Sequence, residues 1–213
     1  MTTRHFWIDP YCQRLETHVA RVSSGTVGLK ETVFYAESGG QESDFGTIGG
    51  VPVIAAVVND GDIDYEMPED HGLVPGQEVV VQIDWPRRYA LMRLHFAAEV
   101  VLEIATRRFG LTEKIGAHIG PLKARIDFAH NASVGPLLLP LREAAQHLIA
   151  ADHPFVSDWE DRALNRRFWQ VEGFAKVPCG GTHLKRSSEV GGIALARKNI
   201  GRGKERIEIT LAS

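Results

Sequence analysis

The chain has 213 residues, 44% of them hydrophobic, enough for one full core or for a large and a small one. Its formal net charge of −3 gives no chain-wide cationic field, so a nucleic-acid partner would have to find a local basic patch. No apolar run approaches the ~20 residues of a membrane helix, and the opening segment Met1 to Trp7 lacks the apolar stretch of a signal peptide. With only Cys12 and Cys179 available to pair, the expectation is a reduced, cytoplasmic protein without a membrane partner.

Residues 1 to 86 read as all-β. Thr17 to Val22 alternates, Val27 to Phe34 is strand-like, Val51 to Val58 is a longer apolar run, and Val79 to Trp85 closes the series. Turn clusters separate these runs: Ser23-Ser24-Gly25, Ser38-Gly39-Gly40, Gly49-Gly50, Asn59-Asp60-Gly61-Asp62 and Pro75-Gly76. Short strands with frequent glycine predict a small β-barrel. Pro86, tolerated at a helix start and not inside one, marks a change of regime. From Arg87 to Arg108 the pattern predicts a helix apolar on most sides and ended by Gly110. His95, Glu99 and Glu103 fall at i, i+4 and i+8 and form a polar stripe along it. A strand over Lys123 to Phe128, a second helix near Leu141 to Ala151 and a third helical stretch over about Asp158 to Trp169 are expected next. Ile193 to Arg197 and Arg206 to Leu211 predict a closing hairpin. The expected fold class is α+β: a small N-terminal β-barrel over 1–86, then an α+β domain over 87–213 with an antiparallel sheet packed on the long helix.

The stretch Pro178-Cys179-Gly180-Gly181-Thr182-His183 joins a thiol and an imidazole through two glycines, which suits a turn that aims both at one point. Sulfur and imidazole nitrogen are ligands zinc prefers, and its usual coordination number of four requires two more. The alternative is a buried cysteine beside a turn histidine. His95 and Glu99, one helical turn apart, present an imidazole and a carboxylate on one face and could complete the set. Their alternative is an ordinary exposed pair on the solvent side of the helix.

The sequence resembles the free-standing alanyl-tRNA editing proteins of the AlaX type, relatives of the editing domains of alanyl- and threonyl-tRNA synthetases. The resemblance rests on Phe34-Tyr35-Ala36-Glu37-Ser38-Gly39-Gly40-Gln41, Met92-Arg93-Leu94-His95, Gly116-Ala117-His118-Ile119-Gly120 and Arg125-Ile126-Asp127-Phe128. It continues through Pro178 to His183, Glu189-Val190-Gly191 and Lys198-Asn199-Ile200-Gly201-Arg202-Gly203, so it covers nearly the whole chain. The N-terminal barrel places it with the longer members. Family members usually carry His-x-x-x-His on the helix and Cys-x-x-x-His in the later turn, together binding zinc. By that pattern His95, Cys179 and His183 carry over as metal ligands, while Glu99 stands where the second histidine is expected. If Glu99 ligates, which is the preferred reading, the centre holds two anions and polarises a bound water or carbonyl less strongly. If it stands back, three ligands leave an open position and Glu99 becomes a candidate general base. A third outcome is that the metal is lost and the protein binds tRNA without cutting it.

The resemblance also implies substrate contacts. Gly39, Gly40 and Gln41 are expected to border the editing pocket and meet a tRNA 3′ end; the alternative is a tight turn in the barrel. His118 is a candidate for the amino-acid pocket or a structural histidine, and a loop from Thr112 to His118 is the expected wall discriminating serine from alanine. Read from the residues themselves, Arg197, Lys198, Arg202, Lys204 and Arg206 form the densest basic stretch, partly offset by Glu205 and Glu208; Arg197, Lys198, Arg202 and Lys204 are candidate phosphate contacts, against the alternative of solvated charge on a hairpin. The reaction expected is hydrolysis of mischarged tRNA for alanine, chiefly seryl and secondarily glycyl, at a zinc site. The competing expectations are a non-catalytic tRNA-binding module and a metal-dependent hydrolase of another ester.

Overall fold

The computed structural model describes residues 1–212, which fall into two compact units, Met1–Tyr89 and the described residues from Ala90 onward. In the first unit the chain forms β1 (Thr3–Arg4), β2 (Arg14–Ser23), β3 (Thr26–Leu29), β4 (Glu31–Thr32) and β5 (Gly46–Ile48). It continues with β6 (Val51–Pro52), β7 (Ala55–Asn59), β8 (Asp62–Glu66) and β9 (Glu78–Ile83). Seven of these make one curled antiparallel sheet in the order β6-β5-β9-β2-β3-β8-β7, and β1 pairs with β4 in parallel. Alternation places Val19, Val27, Leu29, Ile48, Ile63, Tyr65, Val79 and Val81 in one buried cluster. Tyr65 keeps its phenol satisfied there by donating to Thr32 Oγ1 at 2.7 Å. The apolar run Val51 to Val58 is two strands, because Val53 and Ile54 break the ladder, and Trp85 opens a helix instead of ending a strand.

That helix, α1, spans Trp85–Phe109. Asp84 starts it, its carboxylate accepting the Arg87 N–H at 3.1 Å and its carbonyl the Arg88 N–H at 3.0 Å. Arg107 and Arg108 in the last turn suit the negative end of the helix dipole, and Gly110 ends it at φ +70°. Leu91, Met92, Leu94, Phe96, Val100 and Val101 are all buried, as a helix apolar on most sides requires.

The second unit continues with β10 (Lys114–Ile119), β11 (Ala124–Ala129), α2 (Leu138–Ala150), β12 (Val156–Asp161), β13 (Arg166–Val171), β14 (Ala175–Pro178), β15 (Ile193–Asn199) and β16 (Lys204–Leu211). A four-stranded antiparallel sheet runs in the order β10-β11-β16-β15, and a three-stranded one in the order β12-β13-β14. The expected closing hairpin is β15 and β16, and the second helix begins one turn earlier than its expected start. Gln146 of α2 fastens that helix to the start of β15, donating to Gly191 O at 3.1 Å and accepting the Ile193 N–H at 3.0 Å.

Two expectations are corrected here. Asp158 to Trp169 is not a helix: its two halves are β12 and β13, paired Asp158 to Phe168 and Trp159 to Arg167 around a turn in which Asn165 adopts φ +52°. The burial of β13 alternates with period two, and the turn residues between the strands carry no helical stripe. Thr112 to His118 is likewise no loop, since from Lys114 onward it is β10, paired with β11. Among the described residues, no helix is long and apolar enough to cross a membrane.

Candidate metal centre

Three elements of the second unit converge. His95, on α1, is buried, and Glu99 lies one turn further on with a side chain 18% exposed. Cys179 follows β14 directly, and its N–H donates to Arg167 O at 2.9 Å, so the strand pairing holds its backbone in place. Gly180 and Gly181 then turn the chain and bring Thr182 and His183 into the interior, 1% and 2% exposed. The imidazole and sulfur atoms of His95, Cys179 and His183 that could serve as ligands all lie within 4.8 Å of one another. His95 Nε2 is 3.5 Å from Cys179 Sγ and 3.4 Å from Glu99 Oε1, and the two imidazole rings are 5.1 Å apart. The donor group comprises His95, Cys179 and His183; Glu99 stands beside it, against His95.

The floor of this group is aromatic. Phe155 lies 5.0 Å from the His183 ring, 4.6 Å from Phe96 and 5.4 Å from Trp169. Such surroundings penalise charge, and the ionisable groups respond according to their neighbours. Burial pushes the His183 imidazole well below its ordinary range, helped by the positive charges of His95 and Arg167, so it is neutral and able to ligate. For His95 burial also works against the charged form, but Cys179 and then Glu99 outweigh it and raise the imidazole to about 10. Burial would raise Glu99; the His95 contact, the nearby Trp169 indole and Lys114 reverse this and hold the carboxyl below its usual range. The Trp169 indole nitrogen itself falls short of hydrogen-bond geometry with any partner.

The residues fit a divalent metal ion of the zinc kind. Two imidazole nitrogens and one cysteine sulfur suit it chemically, with His95 giving up the proton that it holds between Cys179 and Glu99. One observation points to an absent partner: His183 Nε2 is buried without a hydrogen bond, while Nδ1 of the same ring is 3.2 Å from Ser157 Oγ. Ser157 and Arg167 line the site without having been expected there: Arg167 falls inside the stretch expected to be helical and Ser157 just before it, and the strand alternation shows only in their burial.

The remaining candidates are placed as follows. Gly39 and Gly40 have φ of +61° and +87°, a conformation that favours glycine, in a turn closed by reciprocal bonds between Ser38 and Gln41. They belong to the first unit, where Gln41 is 1% exposed. His118 is half-buried on β10, in register with Arg125 of β11. Arg197 is held by Glu205, Nε to Oε2 at 2.5 Å and Nη2 to Oε1 at 2.6 Å. Lys198, Arg202 and Lys204 are exposed.

No family model matches the chain. It is 31% identical to the alanyl-tRNA editing protein AlaX-M of Pyrococcus horikoshii, over 99% of this chain and 98% of that protein. Identity to the protein of that name from Methanosarcina acetivorans is 32%, over 99% of each chain. The alanine–tRNA ligase of Methanococcus aeolicus is 27% identical over 96% of this chain, which corresponds to 25% of the ligase. Likeness at this level over the full length of both partners shows that the chain belongs to the AlaX-M family of alanyl-tRNA editing proteins.

Proposed function

We propose that the protein edits in trans, hydrolysing the ester between a wrong amino acid, chiefly serine and secondarily glycine, and tRNA for alanine, with zinc held by His95, Cys179 and His183. The observation that carries this reading is the convergence of two nitrogen donors and one sulfur, from segments 84 residues apart, in a chain alike from end to end to editing proteins. Bound zinc would supply Lewis-acid polarisation of the ester carbonyl or of the attacking water.

The chain's own groups do the rest. Glu99, outside the three-donor group, ionised and partly exposed, accepts the proton of the attacking water and returns it to the departing ribose oxygen, which leaves as a hydroxyl. Phe96, Phe155 and Trp169 close the side of the site away from solvent, which strengthens the electrostatics within it. Lys198, Arg202 and Lys204, exposed at the β15–β16 turn, contact phosphates of the acceptor stem; Arg197, occupied by Glu205, braces that hairpin. Gly39 and Gly40 offer backbone that RNA can approach closely, Gln41 secures their turn, and His118 contacts the amino acid. The same reading takes the curled sheet of the first unit as a small barrel, residues 87–213 as the editing domain with its sheet against α1, and the cytoplasm as the place of action.

The test is release of amino acid from seryl-, glycyl- and alanyl-tRNA for alanine by the purified protein. Serine is expected to leave at least about tenfold faster than alanine, a floor well below the roughly 10⁴-fold that a site built to hydrogen-bond the hydroxyl can reach. Absence of release from all three, with tRNA still bound, would instead support a non-catalytic binding module.

A further inference from the structure

Ser157 and Arg167 belong to neither the three-donor group nor any known motif of the sequence, yet Ser157 meets His183 and the Arg167 carbonyl meets the Cys179 N–H. They stand on adjacent strands, in register so that Ser157 faces Trp169 and Trp159 faces Arg167. Cross-strand partners share a face of a sheet, so Ser157, Trp159, Arg167 and Trp169 project together. The next strand continues the pattern, because Cys179 bonds Arg167 O at 2.9 Å. Arg167 is only 5% exposed and its guanidinium lies 4.8 Å from the Trp159 ring. From that position Nη2 donates to Ser157 Oγ at 3.2 Å, and Ser157 Oγ is 3.2 Å from His183 Nδ1.

We propose that Ser157 and Arg167 are positioning residues of the metal centre: Arg167 fixes the Ser157 hydroxyl, whose second lone pair accepts Nδ1–H of His183 and so turns the bare Nε2 toward His95 and Cys179. This rests on the zinc reading given above. A serine oxygen can accept twice, once from the guanidinium and once from the imidazole, and a ligating histidine needs such a partner on its other nitrogen. The buried guanidinium has a second effect. It keeps a positive charge beside the centre, against the Trp159 ring, without occupying a ligand position. Lysine could match that charge but not the planar fork that reaches Ser157 while lying against Trp159.

The experiment measures zinc affinity by competition with a chromophoric chelator and the visible spectrum of the cobalt(II)-substituted full-length protein. Ser157→Ala is expected to weaken zinc binding about 10- to 100-fold with unchanged circular dichroism, and Ser157→Thr to stay within about threefold of the parent. Arg167→Lys and Arg167→Gln should weaken it similarly and alter the cobalt bands; should either fail to fold, the two Ser157 variants decide. Folded Ser157→Ala with the parent's affinity and cobalt spectrum overturns the proposal alone. A parent that takes up no zinc overturns the zinc reading and this proposal with it.

Discussion

Replacing Cys179 with alanine is expected to strip the protein of zinc and to slow release of serine from mischarged tRNA by on the order of 10³-fold. Cys179 is the only sulfur in the three-donor group, and the two neighbouring imidazoles that remain supply only two of the four ligands zinc usually takes. The loss of rate follows from losing several kcal/mol of charge stabilisation at the carbonyl, with each ~1.4 kcal/mol worth a factor of ten. Glu99→Gln separates the two roles open to that carboxylate. As a base that stands beside the ligands, it should take ~10²- to 10⁴-fold of the rate with it and leave zinc stoichiometry at one. Zinc lost in parallel from Glu99→Gln and Cys179→Ala would place Glu99 among the ligands.

The second large effect is on stability. Arg88 and Asp44 are both fully buried in the first unit, where Arg88 Nε donates to Asp44 Oδ1 at 2.8 Å and Nη2 pairs with Oδ2. The guanidinium is otherwise satisfied by Val33 O at 2.6 Å and Pro10 O at 2.9 Å, and the carboxylate by the Tyr35 N–H at 2.7 Å. Asp44→Ala leaves a guanidinium in the interior with its charge uncompensated, at a cost of about 3–5 kcal/mol. For a unit of this size that corresponds to a fall in melting temperature of roughly 15 °C or more. Arg88→Met combined with Asp44→Leu removes both charges and is expected to recover much of the loss, which urea titration of the three proteins would show. Equal midpoints for Asp44→Ala and the parent would mean that the pair contributes nothing.

The legible parts of the fold were those where periodicity is unambiguous. The 25-residue α1, apolar on most sides, announced itself, as did the β15–β16 hairpin with its alternating residues. The β12–β13 hairpin did not, because Asp158 to Trp169 is rich in charge and lacks the β-branched residues that mark strands; its ladder is set by the neighbours it meets in space. Arg167 lies within that stretch and Ser157 just before it, and their meaning exists only once β13 lies beside Cys179. The centre itself was legible as two short spacings, His95 with Glu99 and Cys179 with His183. Which of the four donors cluster was not, since spacing on a helix puts Glu99 on the same face as His95 without fixing where its carboxylate ends. The basic stretch shows the same limit: adjacent residues on a strand point to opposite faces, so Arg197 turns to Glu205 while Lys198 turns away.

X-ray absorption at the zinc edge, on protein purified without chelators, addresses the centre directly. One equivalent of zinc is predicted, with a single sulfur neighbour at about 2.3 Å and the rest nitrogen or oxygen at about 2.0–2.2 Å, and the sulfur is predicted to vanish in Cys179→Ala. Zinc surrounded by nitrogen and oxygen alone in the parent, or no bound zinc, would contradict the assignment of His95, Cys179 and His183 to one metal ion.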